Sequence, residues 1–289
     1  MKKIIKYLLI LLLVSCSNNS HNTGREVITV SIAPFSYFVN AIGGGDFDVN
    51  IMVPASADAH VYEPVPGQIT SLSRSVAYIS DGYLGFEITW LDRFYKANPL
   101  MKKVSLGSGI DLIRADNGHT FGAENADPHF WVSPRSAFSM ASAVKELLCS
   151  LRPQDSARYS KNYLELRARI AMLDRKADSL FKGFKGKTFM IFHPSLGYIA
   201  RDYDLVQLAV ENEGKEPSPS YMKKLIDEAR EKNIKLIFIQ KGFDTKNAGA
   251  IASETGAELM AIDPMGGNWP EEVSAIIDAI HESLVKSSS

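Results

Sequence analysis

Short apolar runs alternate along this chain with longer stretches in which apolar residues recur every three or four positions. The runs Val27–Ile32, Val49–Val53 and Val76–Ile79 form one group, and Phe189–Phe192, Leu236–Ile239 and Leu259–Ile262 form a second. Runs this short and continuous predict strands buried on both faces, as in parallel sheets covered by helices on each side. Two α/β halves follow from the grouping. Between them, Tyr159, Tyr163, Leu166, Ile170, Leu173, Ala177, Leu180 and Phe184 fall on one helical face. Pro153 and Asp155 supply a start signal, and Gly183 and Gly186 a stop. About 28 residues at 1.5 Å each make roughly 42 Å of helix, long enough to serve as a strut between the halves. An ordinary amphipathic surface helix is the alternative. A faint repeat supports two related halves. Glu63-Pro64-Val65-Pro66 recurs as Glu216-Pro217-Ser218-Pro219, and each copy precedes a helical stretch (Gln68–Arg74; Tyr221–Lys232) and then a strand.

One apolar run belongs to neither half. Tyr7–Val14 follows Lys2, Lys3 and Lys6. It is too short to cross a bilayer, which needs about 20 helical residues, and it reads as the core of a secretory signal over residues 1–15. Leu13-Val14-Ser15-Cys16 resembles the lipobox of bacterial lipoproteins, in which the signal is cut before the cysteine and the cysteine is acylated. Residues 16–25, polar and small, then form a flexible tether. The expected location is extracytoplasmic, on a bacterial membrane through the acylated Cys16, facing the periplasm or the cell surface.

The 289 residues are 45% apolar, with 32 Lys+Arg against 33 Asp+Glu. That excludes a disordered chain and, lacking a basic excess, argues against nucleic acid as a partner. Two cysteines build no disulfide scaffold. Cys149 lies on the flank of the stripe Ala137, Ala141, Val144, Leu148 and Leu151, and is read as an inert, half-buried thiol.

The chemistry gathers at strand ends, where the loops of open α/β sheets carry sites. Of six histidines, His21 lies in the tether and His281 near the last helix end; both read as solvated. His60 (Asp58-Ala59-His60-Val61-Tyr62-Glu63-Pro64), His129 (Asp127-Pro128-His129-Phe130-Trp131) and His193 (His193-Pro194-Ser195) follow strands or sit in proline-marked loops, as does Asp263 (Asp263-Pro264-Met265-Gly266). Their separations of 69, 64 and 70 residues match no single-element metal motif. Two from each half could converge on one cleft, and three imidazoles with a carboxylate suit Zn²⁺.

In this combination and order, the segments resemble the zinc/manganese substrate-binding lipoproteins of ABC importers, the cluster A-I family of TroA/ZnuA type. The resemblance spans roughly residues 26–285, with Ala59 in place of the family's proline. Asp81-Gly82-Tyr83-Leu84-Gly85-Phe86-Glu87 and Trp90-Leu91-Asp92 match as well. It implies two Rossmann-like lobes (26–153 and 185–289) joined by one long rigid helix (154–184), with the metal between them. It implies His60, His129, His193 and Asp263 as ligands, an ABC permease and its ATPase as partners, and a monomeric receptor without catalytic residues. His193 stands where manganese binders tend to carry Glu, which favours Zn²⁺ and leaves Mn²⁺ or Fe²⁺ as the alternative. Ala115–Ala126, with the single His119, matches the long His-rich loop of zinc members only in position. Asp58 and Asp127, two residues before their histidines, are candidates for holding imidazole N–H groups or for capping turns. Tyr62, Trp131 and Tyr198 are expected to wall the cleft, and Gln240 to line it. A zinc-dependent extracytoplasmic hydrolase is the competing reading; Glu63 is its nearest candidate base.

Overall fold

The computed structural model describes residues 24–55, 57–114, 126–211, 217–240 and 246–289. The signal segment 1–15, Cys16, the tether as far as residue 23, and His119 with residues 115–125 lie outside the described residues. The first lobe runs β1 (Glu26–Ile32), α1 (Ala33–Gly43), β2 (Phe47–Val53), α2 (Pro66–Ser73), β3 (Ser75–Ser80), α3 (Gly85–Ala97) and β4 (Lys102–Ser105). Its sheet is parallel throughout, in the order β2-β1-β3-β4. Then come α4 (Pro134–Leu151) and α5 (Ser156–Phe181). The second lobe repeats the plan with β5 (Thr188–Ile191), α6 (Gly197–Asp202), β6 (Val206–Ala209), α7 (Pro219–Glu231), β7 (Leu236–Gln240), α8 (Lys246–Thr255) and β8 (Glu258–Ile262). Its strand order, β6-β5-β7-β8, is again parallel and matches that of the first sheet. The helix α9 (Trp269–Ser288) closes the chain.

The proline-marked repeat seen in the sequence now has a cause. Pro66 and Pro219 open α2 and α7, where a missing N–H costs nothing. Ser133 and Ser218 cap α4 and α7 by accepting backbone N–H bonds from Arg135 and Tyr221. Gly44, at φ 63°, ends α1 in a left-handed conformation that favours glycine. Two strands were not foreseen: β4 (KKVS) and β6 (VQLA). Both lie at sheet edges, where one flank has no strand to cover it, so neither needs the long apolar run that marks β1, β3, β5 and β7.

The strut is α5. Its 26 residues rise through about 39 Å, and 3-10 turns extend it at each end (Pro153–Asp155 and Lys182–Phe184). Tyr159, Leu166, Ile170, Ala177 and Phe181 are its buried face, packed on α1, α4 and α9. Near its start, Arg158 and the Tyr159 hydroxyl both reach Asp46 of the first lobe at 2.6 Å. Near its end, Lys176 donates to Asp278 of α9 at 2.6 Å and to Ser274 Oγ at 2.8 Å.

Both lobes share one apolar core. It runs from β1 and α1 through Phe130 and Trp131 to Tyr198, Phe238 and Trp269. The Trp131 indole donates across the lobes to the Pro264 carbonyl at 2.8 Å, and the Trp269 indole returns a bond to the Trp131 carbonyl at 2.6 Å. The Trp269 ring sits 5.1 Å from that of Phe38 on α1. A smaller core of Met190, Val210, Leu225, Ile237 and Ile251 lies within the second lobe alone. No helix among the described residues is long and apolar enough to cross a membrane.

Candidate metal centre

His60 lies in the turn after β2, His129 opens a 3-10 turn before α4, and His193 follows β5. The first two come from one lobe and the third from the other. Among the described residues these three form the one cluster of ligating side chains whose atoms all lie within 4.8 Å of one another. The Nε2 atoms of His60 and His193 are 3.3 Å apart, and those of His193 and His129 are 3.2 Å apart. Two imidazoles bound to one Zn²⁺ at about 2.0–2.1 Å in a tetrahedron place their nitrogens about 3.3 Å apart, so the spacing fits one shared ion.

The partners of the far ring nitrogens fix which atoms face inward. Asp127 Oδ1 is 2.8 Å from His129 Nδ1 and also accepts the His129 backbone N–H at 2.9 Å. Glu211 Oε2 is 2.7 Å from His193 Nδ1. A carboxylate acceptor requires a proton on each Nδ1, which leaves the two Nε2 lone pairs bare and facing each other. A cation between them removes that repulsion. Burial and the adjacent His193 hold the His60 pKa below its usual range, and burial does the same to His193 against the opposing pull of Glu211. The neutral, ligating form is therefore the favoured one.

The supporting residues divide by role. Asp58 accepts the His60 backbone N–H at 2.8 Å, so it caps the turn. That turn rests against Gly85, where a Cβ would come within 2.5 Å of the His60 carbonyl oxygen. Trp131 walls the site, its ring 5.2 Å from that of His129. The buried Tyr198 donates its hydroxyl to the Asp127 carbonyl at 2.7 Å and accepts the Ile113 N–H at 3.2 Å, holding the His129 loop from the other lobe. Gln240, at the end of β7, is buried and donates to Ser195 Oγ, bracing the loop that carries His193. Tyr62 turns away to bond Gln68 at 3.0 Å.

Asp263 is not among the ligating atoms that all lie within 4.8 Å of one another. It follows β8 as foreseen, but its carboxylate is outside the cluster. With Glu272 and Asp278 it lines a groove between β8 and α9. The neighbouring Pro264 carbonyl is pinned by Trp131, which fixes where the Asp263 loop sits. Glu63 is exposed on its loop and is likewise outside the cluster. The residue that sequence reasoning missed is Glu211. Its signal was a carboxylate at the end of a strand, the same signal that marked Asp263, but β6 itself had not been recognised.

Comparison with known proteins places this geometry. A family profile described as "ZnuA: Zinc-uptake complex component A periplasmic" matches residues 28–284. The high-affinity zinc uptake system protein ZnuA of Bacillus subtilis is 25% identical over 303 residues, covering 95% of this chain and 94% of that one. The zinc-binding lipoprotein AdcA of Streptococcus pneumoniae is 23% identical, covering 95% of this chain and 58% of its own length. A crystal structure of ZnuA superposes with a TM-score of 0.84 at 36% identity, covering 90% of this chain and 100% of that one. The chain belongs to the ZnuA family of periplasmic zinc-uptake components.

Proposed function

We propose that this chain is the extracytoplasmic zinc receptor of an ABC importer, holding Zn²⁺ through Nε2 of His60, His129 and His193 and handing it to a membrane permease driven by an ATPase. The observation that carries the reading is the convergence of three Nε2 atoms, two of them turned inward by carboxylates on their far nitrogens. An all-imidazole face favours Zn²⁺ over Mn²⁺, which prefers oxygen donors. Asp263, on the loop after β8, is our candidate for the fourth position. The chain is anchored through an acylated Cys16 in this reading, and it acts as a monomer.

A hydrolase with the same three histidines needs a general base beside a metal-bound water. The buried carboxylates near the cluster, Asp127 and Glu211, are both engaged by imidazole Nδ1 groups. This supports a carrier. Elemental analysis with zinc and manganese titration of the tether-free protein, beside His193→Ala and Asp263→Ala, tests the whole reading. One tight zinc per chain, weak manganese and loss of tight binding in His193→Ala are expected, with a smaller loss in Asp263→Ala. Tight manganese, or no metal, overturns the zinc assignment; an unchanged Asp263→Ala removes Asp263 from the ligand set.

A further inference from the structure

His193 is the one imidazole of the cluster that comes from the second lobe, and what orients it lies on the neighbouring strand. β5 and β6 pair in parallel from Thr188↔Val206 to Ile191↔Ala209. The pairing continues past both strand ends, because Val210 N–H bonds the Ile191 carbonyl and Glu211 N–H bonds the Phe192 carbonyl, each at 2.9 Å. That register brings Glu211 alongside His193 by backbone bonds alone. Its side chain is 13% exposed, and among the described residues its ion-pair partner is His193. Among the described residues no lysine or arginine pairs with it, and a carboxylate this buried is costly to desolvate. The bond to His193 Nδ1, at 2.7 Å, is the compensating contact the structure provides.

We propose that Glu211 is the positioning residue of the second lobe: it fixes the tautomer and the aim of His193, and its negative charge strengthens that imidazole as a donor to the metal. Asp127 does the same for His129 from the first lobe. Among the described residues no carboxylate bonds the His60 ring, and Asp58 accepts the His60 backbone N–H instead. Two of the three ligands are thus held ready before the ion arrives, one on each side of the cleft. This inference rests on the zinc-receptor reading above and adds a residue to it.

The test is a series of Glu211→Ala, Glu211→Gln and Glu211→Asp in the tether-free protein. Zinc affinity is measured by chelator competition, and the visible spectrum is recorded with Co²⁺ substituted for zinc. Loss of an outer partner of this kind lowers metal affinity about 10–100-fold. Glu211→Ala is expected to fall in that range while retaining one metal per chain and a Co²⁺ spectrum of the same ligand number. Glu211→Gln, which keeps an acceptor oxygen but not the charge, is expected to fall between Glu211→Ala and the parent chain. Thermal melts of the metal-free variants are expected to match the parent, which separates positioning from a loss of fold. Parent-like affinity in Glu211→Ala overturns the proposal. So does a Co²⁺ spectrum altered as in His193→Ala, which would make Glu211 a ligand itself. Failure of the parent chain to bind zinc or cobalt overturns the receptor reading instead.

Discussion

Asp58 and Asp127 stand in matching places, each two residues before a histidine of the cluster, yet they act differently. Asp127 takes both the backbone N–H and the ring Nδ1 of His129, whereas Asp58 takes only the backbone N–H of His60. The sequence makes both roles available and cannot choose, because the choice depends on the side-chain torsion of the histidine. The three histidines themselves were legible, since each follows a strand or sits in a proline-marked loop. Glu211 was not, because its strand-end position shows only once β6 is recognised, and its meaning comes from pairing with β5. Burial also lowers the proton affinity of two of the imidazoles. His60 and His193 are held below the ordinary value of 6.5, so each sheds its proton more readily than a free imidazole. Metal capture needs the neutral form, and it is lost only as pH falls through the lowered values. Zinc affinity is therefore expected to fall off at lower pH than it would for solvated imidazoles. Competition titrations from pH 5 to 8 check this; an affinity that already declines on going from pH 7.5 to 6.5 would contradict it.

Between β3 and α3, the segment Asp81–Glu87 holds two fully buried acids that pair with no cation among the described residues. Glu87 accepts the N–H groups of Asp81 at 2.9 Å and Gly82 at 2.6 Å, together with the Ser31 hydroxyl. Asp81 accepts the Tyr83 N–H through Oδ1, and its Oδ2 has no hydrogen-bond partner. Burial raises both acids, Glu87 to about 7, and Tyr78 and Tyr95 are raised nearby for the same reason. A carboxyl raised on folding stabilises the protein in its protonated form, and that contribution is lost as pH rises from the ordinary carboxyl range through the folded value. The buried histidines carry the opposite slope, so a single melt series mixes the two. Asp81→Asn mimics the protonated acid without titrating. Relative to the parent, this variant is expected to gain thermal stability steadily between pH 5 and 8 in the metal-free state. A constant difference across that range would show that the pair does not exchange a proton there. In the sequence this segment looked like a family signature without chemistry. At the same scale, the strut and six of the eight described strands were legible from apolar periodicity, and the edge strands β4 and β6 were not.

The two halves and their repeat could be read from the order of runs and prolines, but the merging of their cores could not. The merging rests on Trp131, Tyr198 and Trp269, each reaching a backbone group more than 70 positions away. With α5 tied at both ends, the expectation is small motion on loading. Solution scattering of metal-free and zinc-loaded protein should give superimposable profiles, and a marked compaction would refute a rigid strut. A shared core has a further consequence, for the lifetime of the chain. With the proposed ligands drawn from both lobes, the ion would be a bond across the centre of one cooperative unit, and occupancy would raise the unfolding free energy of the whole molecule. At free zinc 100 times the dissociation constant, that gain is about 2.7 kcal/mol. Resistance to proteolysis then becomes a gauge of cargo: the metal-free protein is expected to open, and to be cut, more often than the loaded one.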